Sequence, residues 1–181
     1  MNKLLILNGH PSKNSLSREL CETIGVGVDK NAKTFHISEM DFSQDLEKDM
    51  PVEPDIKRFQ DALKWCDTLV IAHPLWWGGP PAKLKALFDR SLLPDFAYRY
   101  EGNSPVGLLK GKTPHLLITS DSPAWYLKWI LGNGWVKTLN RQILGFVGFS
   151  KLKTTYIGPV RTMDPAARQV VLKKVKAIYS T

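Results

Sequence analysis

Apolar residues gather into short unbroken runs along the chain: Leu4–Leu7, then Thr68-Leu-Val-Ile-Ala72, then Lys112-Thr-Pro-His-Leu-Leu-Ile-Thr119. Two weaker runs, Lys33-Thr-Phe-His-Ile37 and Lys153-Thr-Thr-Tyr-Ile157, complete the set. Runs without alternation read as strands covered on both faces, the habit of parallel sheets. The intervening stretches carry apolar residues at helical spacing instead. These are Leu16, Leu20 and Ile24; Ile56, Phe59 and Leu63; Leu84, Leu87 and Phe88; Trp125, Tyr126, Trp129 and Ile130. An amphipathic helix from Asp164 to Tyr179 closes the chain. Five β runs alternating with helices predict an α/β protein: a doubly wound five-stranded parallel sheet, order 2-1-3-4-5, helices on both faces.

The turns between these elements hold the candidate chemistry. Asn8-Gly-His-Pro-Ser-Lys-Asn14 is a polar turn, and Asn14 or Ser15 can cap the helix behind it. Such a turn offers helix-terminal N–H groups to phosphate. Here hydroxyls (Ser12, Ser15, Ser17) and His10 stand in place of the glycines of dinucleotide or P-loop fingerprints. The Thr68–Ala72 run feeds Pro74-Leu-Trp-Trp-Gly78, after which Pro80-Pro81 open a helix. That loop sets flat aromatic faces at the carboxyl end of a sheet, where planar cofactors bind. Residues 38–55 form a long acidic connection, a length that marks functional or mobile segments. Leu92–Gly102 is aromatic without a clear period and reads as a loop. Ser122 is the predicted cap of a helix with Pro123 at its first position, and Gly132-Asn-Gly134 is a break.

Composition narrows the classes. A chain of 181 residues, 43% hydrophobic, is enough for a single domain over residues 1–181. The net charge of +8 comes from cations without a dense run, which reads as a solvated surface and not as a nucleic-acid site. Cys21 and Cys66 form no Cys-x-x-Cys motif, which favours a reducing compartment. The Lys3–Leu7 run is too short for a signal segment, and no run has membrane-spanning length, so a cytoplasmic location is expected. His10, His36, His73 and His115 lack metal-ligand spacing, and no metal is expected.

Four of these stretches carry a resemblance to the NAD(P)H:quinone oxidoreductase family, flavoproteins of flavodoxin-like fold. Leu7-Asn-Gly-His-Pro-Ser with Ser15-Leu-Ser17 resembles the family's phosphate loop. Pro74-Leu-Trp-Trp-Gly78 resembles its isoalloxazine loop, and Pro81–Arg90 the helix that follows. Phe96-Ala-Tyr-Arg-Tyr100 resembles the segment that reaches across a dimer interface, and Thr119-Ser120 the start of its Thr-Thr-Gly-Gly loop. The resemblance implies a flavin, FAD or FMN, held by His10, Ser15, Leu16, Ser17, Pro74, Leu75, Trp76, Trp77, Gly78, Thr119, Ser120 and Asp121, with NAD(P)H as co-substrate. It also implies a homodimer whose Tyr98 and Tyr100 line the partner's pocket, with Tyr126 as a proton-handling candidate. The chain departs from the family at Asp121-Ser122, where Gly-Gly is usual, and after Ser122, where a histidine is usual and none occurs.

The chemistry implied is hydride transfer from NAD(P)H to flavin and on to a quinone-like acceptor, in ping-pong order. Backbone N–H groups near Trp77-Gly78 and at Ser120 are candidates to stabilise charge on the reduced ring. Two other classes share these residues: a flavodoxin-like electron carrier, and a regulatory flavoprotein subunit of a potassium-efflux system. Carriers are usually acidic, against +8 here.

Overall fold

The computed structural model describes residues 2–28 and 31–179. In chain order the elements are β1 (Leu4–Asn8), α1 (Leu16–Val28), β2 (Ala32–His36), α2 (Pro54–Trp65), β3 (Thr68–Pro74) and α3 (Ala82–Ser91). There follow β4 (Tyr98–Glu101), β5 (Ser104–Gly107), β6 (Thr113–Thr119), α4 (Gly134–Thr138), β7 (Lys153–Ile157) and α5 (Pro165–Tyr179). Two π-helical segments, Tyr126–Ile130 and Leu139–Leu144, flank α4.

β2, β1, β3, β6 and β7 lie in that order in one parallel sheet, which is the predicted 2-1-3-4-5 once the hairpin strands are set aside. The register runs Leu7 opposite Ile71, Ile71 opposite Leu116, and Leu116 opposite Thr154. Period-two alternation sorts each strand between two cores. Leu5, Leu7, Leu69, Ile71, Leu116 and Ile118 face α2, α3 and the segment around Trp135. Leu4, Ile6, Val70, Ala72 and Leu117 face α1 and the Val175 side of α5. Because both faces are covered, the strand sequences show no polar alternation.

Leu92–Gly102 is corrected by the structure: its second half is β4, paired antiparallel with β5 as a hairpin. Four-residue strands carry too few positions to display a period. The signal was the turn, where Gly102 takes φ 62° before Asn103, a pairing suited to tight hairpins. The helix after β6 is a second correction. The Tyr126 and Leu127 N–H groups donate to the Pro123 carbonyl, and the Leu131 N–H closes an i+5 bond on Tyr126. The hydroxyl that holds this start is Ser120 Oγ, which accepts the Ser122 N–H at 3.0 Å. The break falls where expected, with Gly132 and Asn133 both at positive φ.

The long connection after β2 is held down at its far end. Arg90 of α3, 2% exposed, donates through one Nη to Glu53 (2.5 Å) and the Pro51 carbonyl (2.8 Å). Met40 and Phe42 from the same connection are buried in the core.

Candidate active site

The carboxyl ends of β1, β3 and β6 open on one cavity of about 230 Å3. Three β–α turns build it, and each is fixed by its own backbone chemistry.

The first turn supplies the polar end. Asn8 is buried at the end of β1, and its Oδ1 accepts the His10 N–H at 3.1 Å. The Ser12 N–H donates to His10 Nδ1 (2.9 Å), which leaves Nε2 as the protonated nitrogen of the neutral ring. Burial holds that imidazole below its ordinary pKa. Ser15 caps α1, its Oγ accepting the Arg18 N–H at 3.2 Å. The Leu16 and Ser17 amides therefore head the helix without intrahelical acceptors, the arrangement that receives phosphate. Ser17 Oγ lies 3.4 Å from Thr119 Oγ1, so the first and third turns touch. The Gly9 N–H donates to the Ala72 carbonyl (2.8 Å), and a Cβ at Gly9 would meet Leu84 Cδ2 at 2.5 Å. A side chain there would displace the buried Leu84 of α3.

The second turn is a tight reversal. Trp76 and Gly79 exchange both N–H···O bonds at 2.9 Å, with Trp77 at φ 50° and Gly78 at φ 78° between them. A tryptophan in the left-handed region is uncommon, and this one is fully exposed at the tip. The Leu75 N–H donates to the Thr119 carbonyl (2.9 Å), tying this turn to the third.

The third turn carries Ser120 and Asp121. The ladder continues one residue beyond β6, so the Ser120 N–H is spent on the Ile157 carbonyl (3.0 Å) and is removed from the candidate charge-stabilising amides. Asp121 Oδ1 accepts the Arg161 N–H at 2.7 Å, while the Val160 N–H donates to the Ser120 carbonyl. The Asp121 carboxylate thus clips the loop after β7 against the cavity.

The structure brings together His10, Ser15, Leu16, Ser17, Pro74, Leu75, Trp76, Thr119, Ser120 and Asp121 on the cavity wall. Trp77 stays at the turn tip, and Gly78 lines a smaller neighbouring cavity with Leu75 and Leu131. Asn14 and Val160 were missed as wall residues. Asn14 is legible in the loop as a polar neighbour of the cap. Val160 gives no sequence signal, since only the meeting of β6 and β7 delivers it. Tyr98 and Tyr100 lie elsewhere in the same chain: Tyr98 packs on Phe146 (5.0 Å between rings) and Tyr100 is exposed. Tyr126 stacks edge-on against Trp125 and is not on the wall.

Two histidines are structural. His73 is fully buried, its Nδ1–H donating to the Pro74 carbonyl (2.7 Å) and its Nε2 accepting from Trp135 Nε1 (2.9 Å). Burial depresses its pKa to about 4. His115 bridges Thr155 of β7 and the Tyr179 hydroxyl of α5.

A parallel sheet of order 2-1-3 and onward, with a polar first turn and an aromatic third-strand turn meeting over one cleft, defines a flavodoxin-like protein. The family model of the flavodoxin-like fold matches residues 2–179, and the chain belongs to that family. It is 31% identical over 149 residues to the FMN-dependent NADH:quinone oxidoreductase of Cereibacter sphaeroides KD131, covering 80% of this chain and 70% of that one. It is also 31% identical over 126 residues to an uncharacterized NAD(P)H oxidoreductase of Haemophilus influenzae, covering 67% and 61% respectively. Among solved structures, Smu.1420 from Streptococcus mutans UA159 superposes with a TM-score of 0.86 over 98% of both chains, at 28% identity. The chain spans about six-tenths of the length of the first curated relatives it matches.

Proposed function

We propose that residues 1–181 form one flavin-binding unit that oxidises NAD(P)H and reduces a quinone-like acceptor, with FMN as cofactor. The observation that supports this best is the graded cavity: an imidazole, hydroxyls and bare helix-terminal amides at one end, and Pro74, Leu75 and Trp76 at the other. A phosphorylated ligand with a flat apolar ring matches that grading, and the Cereibacter relative is named as FMN-dependent. When bound, flavin supplies the two-electron chemistry.

The chain's own residues position and enclose it. His10 Nε2–H, Ser15, Ser17 and the Leu16 and Ser17 amides hold the phosphate end. Leu75 and Trp76 cover the ring and exclude water from one side. Thr119 Oγ1 and the Ser120 hydroxyl offer polar contacts to a ring edge. The amides of Trp77 and Gly78 are not consumed by the turn's own pair of bonds, and they remain the candidates to meet negative charge there. One pocket serving donor and acceptor in turn predicts ping-pong kinetics.

The test is a titration of the purified protein with FMN and with FAD, followed by NADH and NADPH oxidation with and without menadione. FMN should bind with a rise in Tm and support menadione-dependent turnover with parallel double-reciprocal plots. Ser15→Ala and Ser17→Ala should each weaken FMN binding by about 1.5–3 kcal/mol, the worth of a hydrogen bond to a charged group. Unchanged Tm at saturating FMN and FAD overturns the reading.

A further inference from the structure

The phosphate end of the cavity does not close at Asn14 and Ser15. Both residues also line a second cleft, walled by Lys13, Arg18, Glu19, Glu22 and Arg168. A ligand that extends outward past Ser15 from the Leu16 and Ser17 amides enters this cleft. It is roomier than the cavity itself, about 490 against 230 Å3, so size does not bar a further group.

The charges of the cleft are already matched to one another. Arg168 of α5 donates to both carboxylate oxygens of Glu19, through Nε and Nη2, each at 2.7 Å. Arg18 donates to Glu22 through Nε (2.8 Å) and to Glu39 through Nη1 (2.7 Å). Among the described residues, Lys13 is the one lining cation outside these pairs. A guanidinium engaged through two N–H groups on one carboxylate has given up the fork that would otherwise take a phosphate. Glu19 stands in the first turn of α1, one turn behind the Ser15 cap.

We propose that Glu19, with Arg168 held against it, makes the site select FMN over FAD, an inference that rests on the flavin reading above. FMN ends in a phosphate monoester, which places nearly two negative charges at the helix start. FAD divides a similar charge between two phosphates and carries the outer one, with its adenosine, into the second cleft. There the outer phosphate meets the Glu19 and Glu22 carboxylates, and the guanidiniums that could offset them are occupied. Attraction is lost at the helix start and repulsion is gained beyond it. Discrimination of this kind is built against the wrong ligand as well as for the right one.

Calorimetric titration of the flavin-free full chain with FMN and with FAD, at low and high salt, tests this through the ratio of dissociation constants. The parent should favour FMN, and the ratio should shrink at high salt as the outer repulsion is screened. Glu19→Gln removes the carboxylate and frees Arg168, and it should lower the FMN preference about tenfold, chiefly by tightening FAD. Arg168→Ala breaks the same ion pair but leaves Glu19 uncompensated, so it should keep or raise the preference. A role confined to packing α5 against α1 predicts the same change for both variants, and that outcome overturns the proposal. A parent that binds FAD as tightly as FMN, or a Glu19→Gln ratio equal to the parental one, also overturns it. The salt series needs no substitution and decides the matter should a variant fold poorly, since a ratio that does not shrink is equally fatal. FMN binding with any of these failures leaves the flavin reading standing, whereas a parent that binds neither flavin defeats both.

Discussion

At the scale of the residue, buried polar groups decide more than the exposed ones. His73 sits at the end of β3 with both ring nitrogens engaged, which fixes one neutral tautomer and joins the strand to α4 through Trp135. Its folded pKa of about 4 lies below the ordinary value of 6.5. The unfolded chain therefore takes up a proton that the folded one refuses as pH falls between those values. The stabilisation is full above pH 6.5 and is lost progressively toward pH 4, by roughly 3 kcal/mol at the lower end. Trp135→Phe removes the donor to Nε2. It should cost about 1–3 kcal/mol at neutral pH, and it should make the acid limb shallower because the ring protonates more readily. Urea unfolding of both proteins across pH 4 to 8 reads both effects, and parallel pH profiles would refute the account.

Turns at the ends of the strands, rather than the strands themselves, shape the site. The third turn shows how one carboxylate can set a loop's position. In the sequence reading Asp121 is one of the residues implied to hold the flavin. In the fold its Oδ1 is occupied by the Arg161 N–H, and with the Ser120 carbonyl it holds the segment bearing Val160 against the cavity. Asp121→Asn keeps an acceptor oxygen at that position and should bind FMN like the parent. Asp121→Ala removes it and should weaken FMN by about 1 kcal/mol, the net worth of one such hydrogen bond. Fluorescence-quenching titrations of the three proteins give the comparison. Equal dissociation constants for all three would remove Asp121 from the positioning set.

For the whole molecule, the hairpin β4–β5 is the element whose placement a single chain leaves without a partner in the site. Tyr100 is exposed at its edge and Tyr98 is turned toward Phe146, both away from the cavity of the same chain. We propose that these tyrosines complete the acceptor pocket of a second copy across a two-fold axis, which makes two equivalent sites from one patch. Light scattering should then report a dimer at assay concentration. Tyr100→Ala should raise the KM for menadione several-fold and leave FMN affinity unchanged. A fully active monomer, or a change in FMN affinity with no change in KM, would refute the arrangement.

The order of the parallel strands, the two-sided core and the start of α1 were legible because each rests on local rules. Apolar runs such as Leu4–Leu7 declare double burial, and Ser15 and Asp164 declare helix starts by supplying an oxygen to an amide three residues on. Most of the cavity wall was legible too, since it is made of consecutive residues at the carboxyl ends of strands. What tertiary structure alone decided depends on contacts between distant segments. The bond between the Ser120 N–H and Ile157 removed an amide that the sequence offers. Val160 reached the wall through the pairing of β6 with β7, and His73 became a structural residue only when Trp135 met it from 62 positions away. Hydrogen-bond partners at such separations are set by the geometry of the whole sheet, and no window of sequence contains both members.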